Sequence, residues 1–228
     1  MSTSRPNAPR AKAPSSRTRA RRMPARADYD RATIDAILDE ALVAHVGFAV
    51  EGQPYVIPTL HARVENSVYF HGSSASRTVR ALAAGVPACM TVTLLDGLVL
   101  ARSAVHHSVN YRSVVVFGQA TAVEDMSQRM AAIEAFTERL VPGRWSEVRQ
   151  PTAKELKAIQ VLELPLTEAS AKLRSGPPLD DEEDYALDTW AGVIPLRLLA
   201  GAPVDDARLT DGIGSSQAAL QWASNRSS

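Results

Sequence analysis

Residues 56–85 constrain the fold of this chain more than any other stretch. The run VIPTLHARVENSVYFHGSSASRTVRALAAG reads as a strand, a turn at Glu65-Asn66, a second strand ending at His71, a hydroxyl-rich loop and a short helix closed by Gly85. Two strands joined by a short turn pair as antiparallel neighbours. The stretch therefore predicts part of an antiparallel meander with a helix at its end.

The loop before this helix suits a phosphate group. Its residues 72–76, Gly-Ser-Ser-Ala-Ser, offer backbone N–H groups and hydroxyls ahead of a helix N-terminus. Arg77 and Arg80 lie in the first turn, where each cation is unfavourable by roughly 0.3–1 kcal/mol beside the positive end of the helix dipole. A bound dianion would reverse that sign, because it accepts charge-assisted hydrogen bonds from guanidinium groups. A solvated basic helix face capped by Ser74 or Ser76 explains the same residues equally well.

The order strand, strand, Ser-Arg-Thr, helix resembles the FMN-binding split barrel of the pyridoxamine 5′-phosphate oxidase superfamily. The resemblance covers roughly residues 28–196. Its most specific parts are QPYVIPTLHAR, YFHGSSASRT, VTLLDGLVLARSA and NYRSVVVFG, which look like the bacterial branch that includes flavin-nucleotide-binding proteins and relatives of nitroimidazole reductases. The resemblance implies a mainly β fold with flanking helices, built on a six-stranded antiparallel split barrel.

The resemblance also implies an FMN cofactor and the residues that contact it. In the family a Ser-Arg-Lys run grips the FMN phosphate, and the corresponding run here is Ser76-Arg77-Thr78. Backbone groups of the preceding strand meet the flavin ring and ribityl chain, and a C-terminal segment crosses to the partner subunit with cationic and aromatic contacts. The implied cofactor-binding set is Val56, Ile57, Pro58, His71, Ser73, Ser76, Arg77, Thr78, Arg112, Ser113, Lys172, Arg174 and Trp190.

Outside this stretch, hydrophobic periodicity predicts an amphipathic helix over residues 30–44 and a second, clearer helix over residues 127–140, capped by Ser127. Asp96-Gly97 is predicted to be a turn before a return segment. The remaining strands are predicted over residues 45–50, 55–63, 88–95, 110–123 and 159–164.

The charge distribution argues against a nucleic-acid-binding domain. Residues 1–27 hold eight of the 25 Lys and Arg and no acid, so the other 201 residues carry 17 basic against 25 acidic side chains. That acidic body lacks the expected basic face. Residues 1–27 also lack large apolar side chains and are predicted to be a disordered basic tail. Residues 197–228 are predicted to be poorly ordered, which leaves residues 28–196 as the domain.

The sequence has no pattern typical of a metal enzyme, a disulfide or a membrane protein. The five histidines lack HxxxH or CxxC spacing, and adjacent His106 and His107 would point in opposite directions from an extended chain. Cys89 is the single cysteine. No apolar run approaches the ~20 residues that cross a bilayer, and no secretory signal is evident, so a cytoplasmic protein is expected.

Two functions fit these features. The first is an FMN-dependent oxidoreductase acting on a small molecule, because a flavin carries the redox chemistry and needs no catalytic triad or paired carboxylates from the protein. The alternative is a non-catalytic module that holds flavin or haem, with His61, His71 or His107 as the haem ligand. The Arg-Leu-His pattern that the true oxidases use for pyridoxamine phosphate is missing, which puts that activity in doubt.

A homodimer with the cofactor at the subunit interface is expected. A split barrel leaves strand edges and apolar surface uncovered, and the run Val114–Phe117 is the plainest apolar example in this chain.

Overall fold

The computed structural model describes residues 11–227, which fold into two antiparallel sheets flanked by five helices. The helices are α1 (Arg31–Glu40), α2 (Arg77–Ala83), α3 (Met126–Leu140), α4 (Ala153–Ala158) and α5 (Gln217–Ser224). The strands are β1 (Ala27–Asp28), β2 (Val43–Val50), β3 (Gln53–Leu60), β4 (Ala62–Val64), β5 (Ser67–Ser73), β6 (Pro87–Leu100), β7 (Ser108–Gln119), β8 (Thr121–Ala122), β9 (Ile159–Pro165), β10 (Ala169–Arg174) and β11 (Gly192–Pro195).

The larger sheet has seven strands. Its order is β1-β10-β7-β6-β2-β3, and β11 pairs with β6 beside this path. The smaller sheet has the order β4-β5-β9-β8, so the chain passes between the sheets after β3, after β5, after β7 and after β9. This architecture confirms the prediction of a mainly β split barrel with flanking helices, to which short strands at the edges are added.

The barrel encloses a single main core. Along β2 the side chains of Ala44, Val46 and Phe48 are buried and the residues between them are at least partly exposed, as a strand with one covered face requires. Helix α1 covers the same core with Ile34 and Leu38. Each such apolar side chain contributes roughly 1.5–3 kcal/mol when fully buried, so this core is the main source of stability.

The structure differs from the sequence prediction at Asp96-Gly97, which is not a turn. Strand β6 continues through this position with a register shift between Leu95 and Gly97. A Cβ atom at Gly97 would lie 3.0 Å from the carbonyl oxygen of Ile194 in β11, so glycine is needed here for close strand approach.

Two other predicted boundaries also move. Helix α3 begins one residue earlier than predicted and is capped by Asp125, whose carboxylate accepts a hydrogen bond of 2.9 Å from the backbone N–H of Gln128. The strand predicted over residues 110–123 is divided at Ala120, where the chain leaves the larger sheet for the smaller one.

Both terminal segments contact the barrel. The guanidinium group of Arg17 lies over the ring of Phe117, and Thr18 is buried, although this segment belongs to the predicted disordered tail. Residues 1–10 of that tail lie outside the described residues. At the other end, the weak helical patch near Ala218 is the helix α5, and Glu147 accepts a hydrogen bond of 3.1 Å from the N–H of Ala218.

Within residues 11–227, no helix is long and apolar enough to cross a membrane.

Candidate functional site

A cavity of about 200 Å³ lies between β3, β5 and the first turn of α2. It gathers five of the residues that the sequence nominated for cofactor binding, which are Ile57, Pro58, His71, Ser76 and Thr78. The other lining residues are Val46, Thr59, Phe70, Gly72 and Val79. The cavity therefore forms where the stretch 56–85 folds back on itself.

Local sequence explains why the cavity forms here. Pro58 cannot donate to a strand ladder, and β3 tolerates it because this strand is at the edge of the larger sheet and pairs only with β2. Gly72 lets β5 pack closely on α2, since a Cβ atom at this position would lie 2.9 Å from Cγ2 of Val79. Pro58 and Gly72 both line the cavity.

Arg77 lies beside this cavity without an acidic partner. Its Nη1 donates a hydrogen bond of 2.9 Å to the hydroxyl of Tyr55, and its guanidinium carbon lies 5.2 Å from the centre of the same ring. The Tyr55 ring stacks on Phe48 at a centroid distance of 5.4 Å. For neither Arg77 nor Arg80 does the described part of the chain place a carboxylate within 4.0 Å. The positive charge at the start of α2 is therefore not neutralised by the protein.

The first turn of α2 keeps its hydrogen-bonding groups available. The Ser76 side chain makes no capping hydrogen bond, although Ser76 occupies the cap position with an extended backbone. The alternative interpretation of the sequence was a solvated basic helix face capped by a serine. The structure does not show such a cap at Ser76. Side-chain hydroxyls of Ser76 and Thr78 line the cavity, and Arg77 lies next to them. These donors are suited to the oxygen atoms of a phosphate group.

His71 is the one histidine that lines this cavity. Its Nδ1 is buried without a hydrogen-bond partner among the described residues, and its ring lies 4.6 Å from that of Phe136. Burial lowers the pKa of His71 below its ordinary value of 6.5, so the ring is neutral at pH 7. A neutral imidazole with an unused nitrogen can bind a ligand donor or coordinate a metal.

The other two histidines proposed as haem ligands are placed differently. His61 is 2% exposed, and its Nε2 lies 3.0 Å from the carbonyl oxygen of Leu38. Desolvation lowers the pKa of His61 in the same direction as that of His71. His107 is exposed, and its Nδ1 lies 3.0 Å from the carbonyl oxygen of Ser103. Neither ring lines the cavity beside α2.

Arg112 does not line this cavity within its own protomer. It lies on β7, which is three strands from β3 in the larger sheet, a distance of about 14 Å at the usual strand spacing. Its guanidinium group donates to Asp96 at 3.0 and 2.8 Å and to Glu40 at 2.7 Å. These two carboxylates raise the pKa of Arg112 further and neutralise its charge.

Ser113, Lys172 and Arg174 also lie away from the cavity, on β7 and β10. Ser113 donates through Oγ to the carbonyl oxygen of Lys172 at 3.2 Å. The side chain of Arg174 is buried and donates to the carbonyl oxygens of Pro177 at 3.1 Å and Gly176 at 3.3 Å. Arg174 therefore holds the chain beyond β10 in place.

Three further candidates are solvent-exposed. Trp190 is 67% exposed, and its indole ring occupies the space that a side chain at Gly192 would need. Ser73 is exposed, and its Oγ accepts a hydrogen bond of 3.3 Å from the N–H of Ala75. Val56 is 65% exposed on β3, next to the cavity residues of the same strand. Trp190 is therefore not part of the core of its own protomer.

A potential metal-ligand group lies elsewhere, at the acidic run after β10. His106, Asp181 and Asp184 present ligand atoms within 4.8 Å of one another. Sequence spacing gave no sign of this arrangement, because the histidine and the acids are more than 70 positions apart. Asp181 is exposed, and exposed acidic groups of this kind are common without a bound ion.

Comparison with known proteins identifies the family. The model of the pyridoxamine 5′-phosphate oxidase family matches residues 30–173. The chain belongs to this family. The matched region includes β3, β5, α2 and the whole cavity between them, whereas Arg174 and Trp190 lie beyond its end.

Solved structures agree with this assignment. The flavocytochrome Anf3 from Azotobacter vinelandii is 44% identical, with a TM-score of 0.88, and the match covers 92% of this chain and 98% of Anf3. The FAD and heme binding protein from Mycobacterium smegmatis is 36% identical, with a TM-score of 0.83, covering 87% of this chain and 97% of that protein.

A more distant protein shares the fold alone. A Bacteroides thetaiotaomicron protein named for 5-nitroimidazole antibiotic resistance is 20% identical, with a TM-score of 0.55 over 64% of this chain and 85% of its own. The search of curated proteins gave no match.

Tyr55, Phe48 and Gly72 belong to the site of this family member but were not nominated from sequence. Tyr55 and Ile57 are two positions apart on β3, so their side chains share the face that turns towards the cavity. That alternation was the signal available for Tyr55. Gly72 was visible only as part of the hydroxyl-rich loop, because the need for glycine comes from the position of Val79 in space.

Proposed function

We propose that this family member is a redox protein that binds a flavin with its phosphate at the start of α2 and carries haem as a second cofactor. The observation that supports the flavin site best is the cavity beside α2, where Ser76, Thr78 and Arg77 can donate hydrogen bonds to a bound anion. No carboxylate of the described chain pairs with Arg77. When bound, the flavin supplies electron transfer. The protein supplies binding, orientation and a low-dielectric wall.

Each residue has a distinct part in this proposal. Arg77, held in place by Tyr55, neutralises phosphate charge together with the N–H groups of the first turn of α2. Phe70 and Val79 exclude water from the inner wall of the cavity. His71, neutral at pH 7, presents its Nδ1 without a partner from the described residues.

The size of the cavity favours a site shared between two protomers. At about 200 Å³ it is smaller than the ~300–1,000 Å³ usual for a complete cofactor site, so it accommodates only part of a flavin. The rest of the flavin would lie along β3 on the face that carries Tyr55 and Ile57, where Ile57 is exposed. We propose that a second copy of the chain covers this edge and forms a homodimer, in which Lys172 and Trp190 are the candidates for contacts across the interface.

The name of one relative favours FAD over FMN as the flavin. The Mycobacterium smegmatis relative is named for FAD and haem, and the Azotobacter relative is named a flavocytochrome, each over most of this chain. His61 and His71 are the two haem-ligand candidates on this chain, because Nδ1 of each ring is buried without a hydrogen-bond partner among the described residues. FMN, as the superfamily resemblance implies, is the competing flavin.

Cofactor analysis of the purified protein tests this proposal. We expect flavin absorption together with an intense Soret band, release of FAD on denaturation as identified by chromatography and mass spectrometry, and a haem signal in the pyridine haemochrome assay. Release of FMN alone would contradict the FAD and haem assignments while keeping the phosphate site. A protein reconstituted with FAD, FMN and haem that retained none of them would contradict the function.

Two further measurements address turnover and assembly. Anaerobic mixing of the oxidised holoprotein with NADH, NADPH or pyridoxamine phosphate should bleach the flavin if one of these is the reductant. No bleaching with any of them would favour the non-catalytic binding module. Sedimentation at micromolar concentration should show a dimer, and a folded monomer that keeps its flavin would contradict the shared site.

A further inference from the structure

A second cleft lies between the end of α3 and the face of α5, and it shares no residue with the flavin cavity. Its volume is about 440 Å³, which falls in the ~300–1,000 Å³ range of small-molecule sites. One wall carries Arg139 and Pro142, and the other carries Ala218, Trp222 and Arg226. The proposed redox function gives this cleft no role.

Two arginines of this cleft lack an acidic partner. Arg139 donates through Nη2 to the carbonyl oxygen of Ala41 at 2.8 Å, and its Nε is buried without an acceptor among residues 11–227. Arg226 lies over the ring of Trp222, 4.7 Å from its centre. Neither guanidinium group has a carboxylate of the described chain within 4.0 Å. Burial and the nearby charge of Arg226 both lower the pKa of Arg139, whereas Asp39 and Glu40 raise it.

The carboxylates closest to these arginines are already engaged. Asp39 accepts two hydrogen bonds from Arg63, and Glu40 accepts from Arg112. Glu138 lines the cleft, but its two oxygens accept from the backbone N–H groups of residues 143 and 145 at 2.7 and 2.8 Å. Glu138 keeps its negative charge, because backbone N–H groups are neutral donors, and the two guanidinium groups of Arg139 and Arg226 against this one carboxylate leave the cleft lining with a net positive charge.

We propose that this cleft binds a small organic anion. A carboxylate or phosphate group would face Arg139 and Arg226, and the apolar part of the ligand would lie against Pro142 and the Trp222 indole. The amide side chains of Gln221 and Asn225 on the same wall complete the polar lining. Such a ligand would also hold α5 against α3, in addition to the hydrogen bonds that Ser216 and the N–H of Ala218 make to Glu147 in the segment after α3.

Calorimetric titration of the protein as purified, with its cofactors bound, tests this inference. The probes are benzoate, phenyl phosphate and inorganic phosphate, and we expect saturable binding of at least one of the two organic anions. Arg226→Ala should weaken this binding by roughly 10- to 150-fold, because one charge-assisted contact is lost. Arg208→Ala is the matched control, since this exposed arginine of the same C-terminal segment does not line the cleft and its loss changes the net charge equally.

The outcomes separate the possibilities. Tighter binding of phenyl phosphate assigns a phosphate ligand, and tighter binding of benzoate assigns a carboxylate. If inorganic phosphate binds as tightly as phenyl phosphate, the phenyl ring contributes nothing to affinity, and the proposed apolar contact with Pro142 and Trp222 is wrong. No binding of either organic anion, or equal weakening by Arg226→Ala and Arg208→Ala, would overturn the site itself.

Hydrogen exchange of the unmutated protein provides a second test that does not depend on a variant folding. Saturating phenyl phosphate or benzoate should slow exchange of the amides in residues 217–226. Slowing confined to other segments would overturn the location. Flavin and haem content should be unchanged in Arg226→Ala, which distinguishes a failure of this inference from a failure of the redox proposal.

Discussion

Arg77 and Arg112 occupy contrasting surroundings, although both were candidates for cofactor binding. Arg77 bonds to the neutral hydroxyl of Tyr55, whereas Arg112 is clamped by Glu40 and Asp96. When two carboxylates bind a guanidinium group, they neutralise its charge and accept hydrogen bonds from most of its N–H groups. One held by a phenol keeps its charge for a ligand. The surroundings of an arginine thus say more about its role than its presence in a motif.

The largest expected effect comes from removing Arg77. Arg77→Ala should weaken flavin binding by roughly 10- to 150-fold, through loss of a charge-assisted contact worth about 1.5–3 kcal/mol. Arg77→Lys should recover only part of this affinity, because a point charge lacks the forked donor geometry. Flavin titration of the apo proteins measures both, and the apo form of Arg77→Ala should be no less stable than unmutated apo protein.

Arg112→Ala is the matched variant for this comparison. It should leave the flavin affinity of the folded protein unchanged and lower its stability, since Glu40 and Asp96 lose their shared partner. Equal losses of flavin affinity in Arg77→Ala and Arg112→Ala would remove the distinction between the two arginines.

Gly72→Ala should damage the site through packing. The added Cβ atom meets Cγ2 of Val79 at 2.9 Å, and the stiff valine cannot turn away without moving α2 from β5. We expect a loss of about 1–3 kcal/mol in the free energy of unfolding and weaker flavin retention. Thermal melts and flavin titration measure the two effects. Gly201→Ala, with open space at its Cβ position, should change neither.

His71 should make stability pH-dependent. Burial lowers its pKa in the folded state, so the unfolded chain binds more protons as the pH falls below 6.5. The stability contributed by the neutral ring is present above pH 6.5 and is lost as the pH falls through the folded pKa. Replacing it by phenylalanine should reduce the dependence of Tm on pH below 6.5, and the lowered pKa of His61 contributes in the same direction. The exposed His107→Phe should not reduce this dependence.

The smallest effect is expected from Glu40→Gln. Hydrogen bonding to Arg112 lowers the pKa of Glu40 below 4.5, so its contribution is present above pH 4.5 and disappears as the pH falls through the folded pKa. Because the side chains of Glu40 and Arg112 are partly exposed, we expect Glu40→Gln to lower the free energy of unfolding by only about 0.5–1 kcal/mol at pH 7. Melts at pH 7 and pH 3, with and without added salt, measure this difference. A difference from unmutated protein that does not shrink as the pH falls below 4.5 would contradict the ion-pair explanation, and Glu183→Gln is the exposed control.

The strands and the helix around the cavity beside α2 could be predicted from sequence because they are neighbours along the chain. β3, β5 and α2 lie within about 30 residues, so strand alternation and the Ser-Arg-Thr run were sufficient. The clamp on Arg112 was not visible, because Glu40 and Asp96 come from distant segments that only the tertiary fold brings together. Asp96-Gly97 was interpreted as a turn between two segments, whereas β6 continues through it with a register shift against β7, a strand that the chain reaches only after residue 107.

The cleft between α3 and α5 could not be predicted from the sequence either. The helical pattern of α5 was weak but visible, whereas its attachment to Glu147 depends on the path of the intervening loops. The buried Nε of Arg139, which lacks an acceptor among the described residues, could not be recognised from sequence. An arginine in an amphipathic helix is expected to be solvated until its neighbours in space are known.

The pairing of β1 with β10 dictates when the larger sheet can be finished during synthesis. Ala27 pairs with Lys172, about 145 positions later in the chain. At ribosomal rates of about 5–20 residues per second, the first strand waits roughly 7–30 s for its partner to be made. β7 lacks its neighbour β10 for part of that time, so its apolar residues offer an open edge to other nascent chains. A chain that stops before residue 169 would keep this edge open permanently, so aggregation rather than a smaller folded barrel is its expected fate.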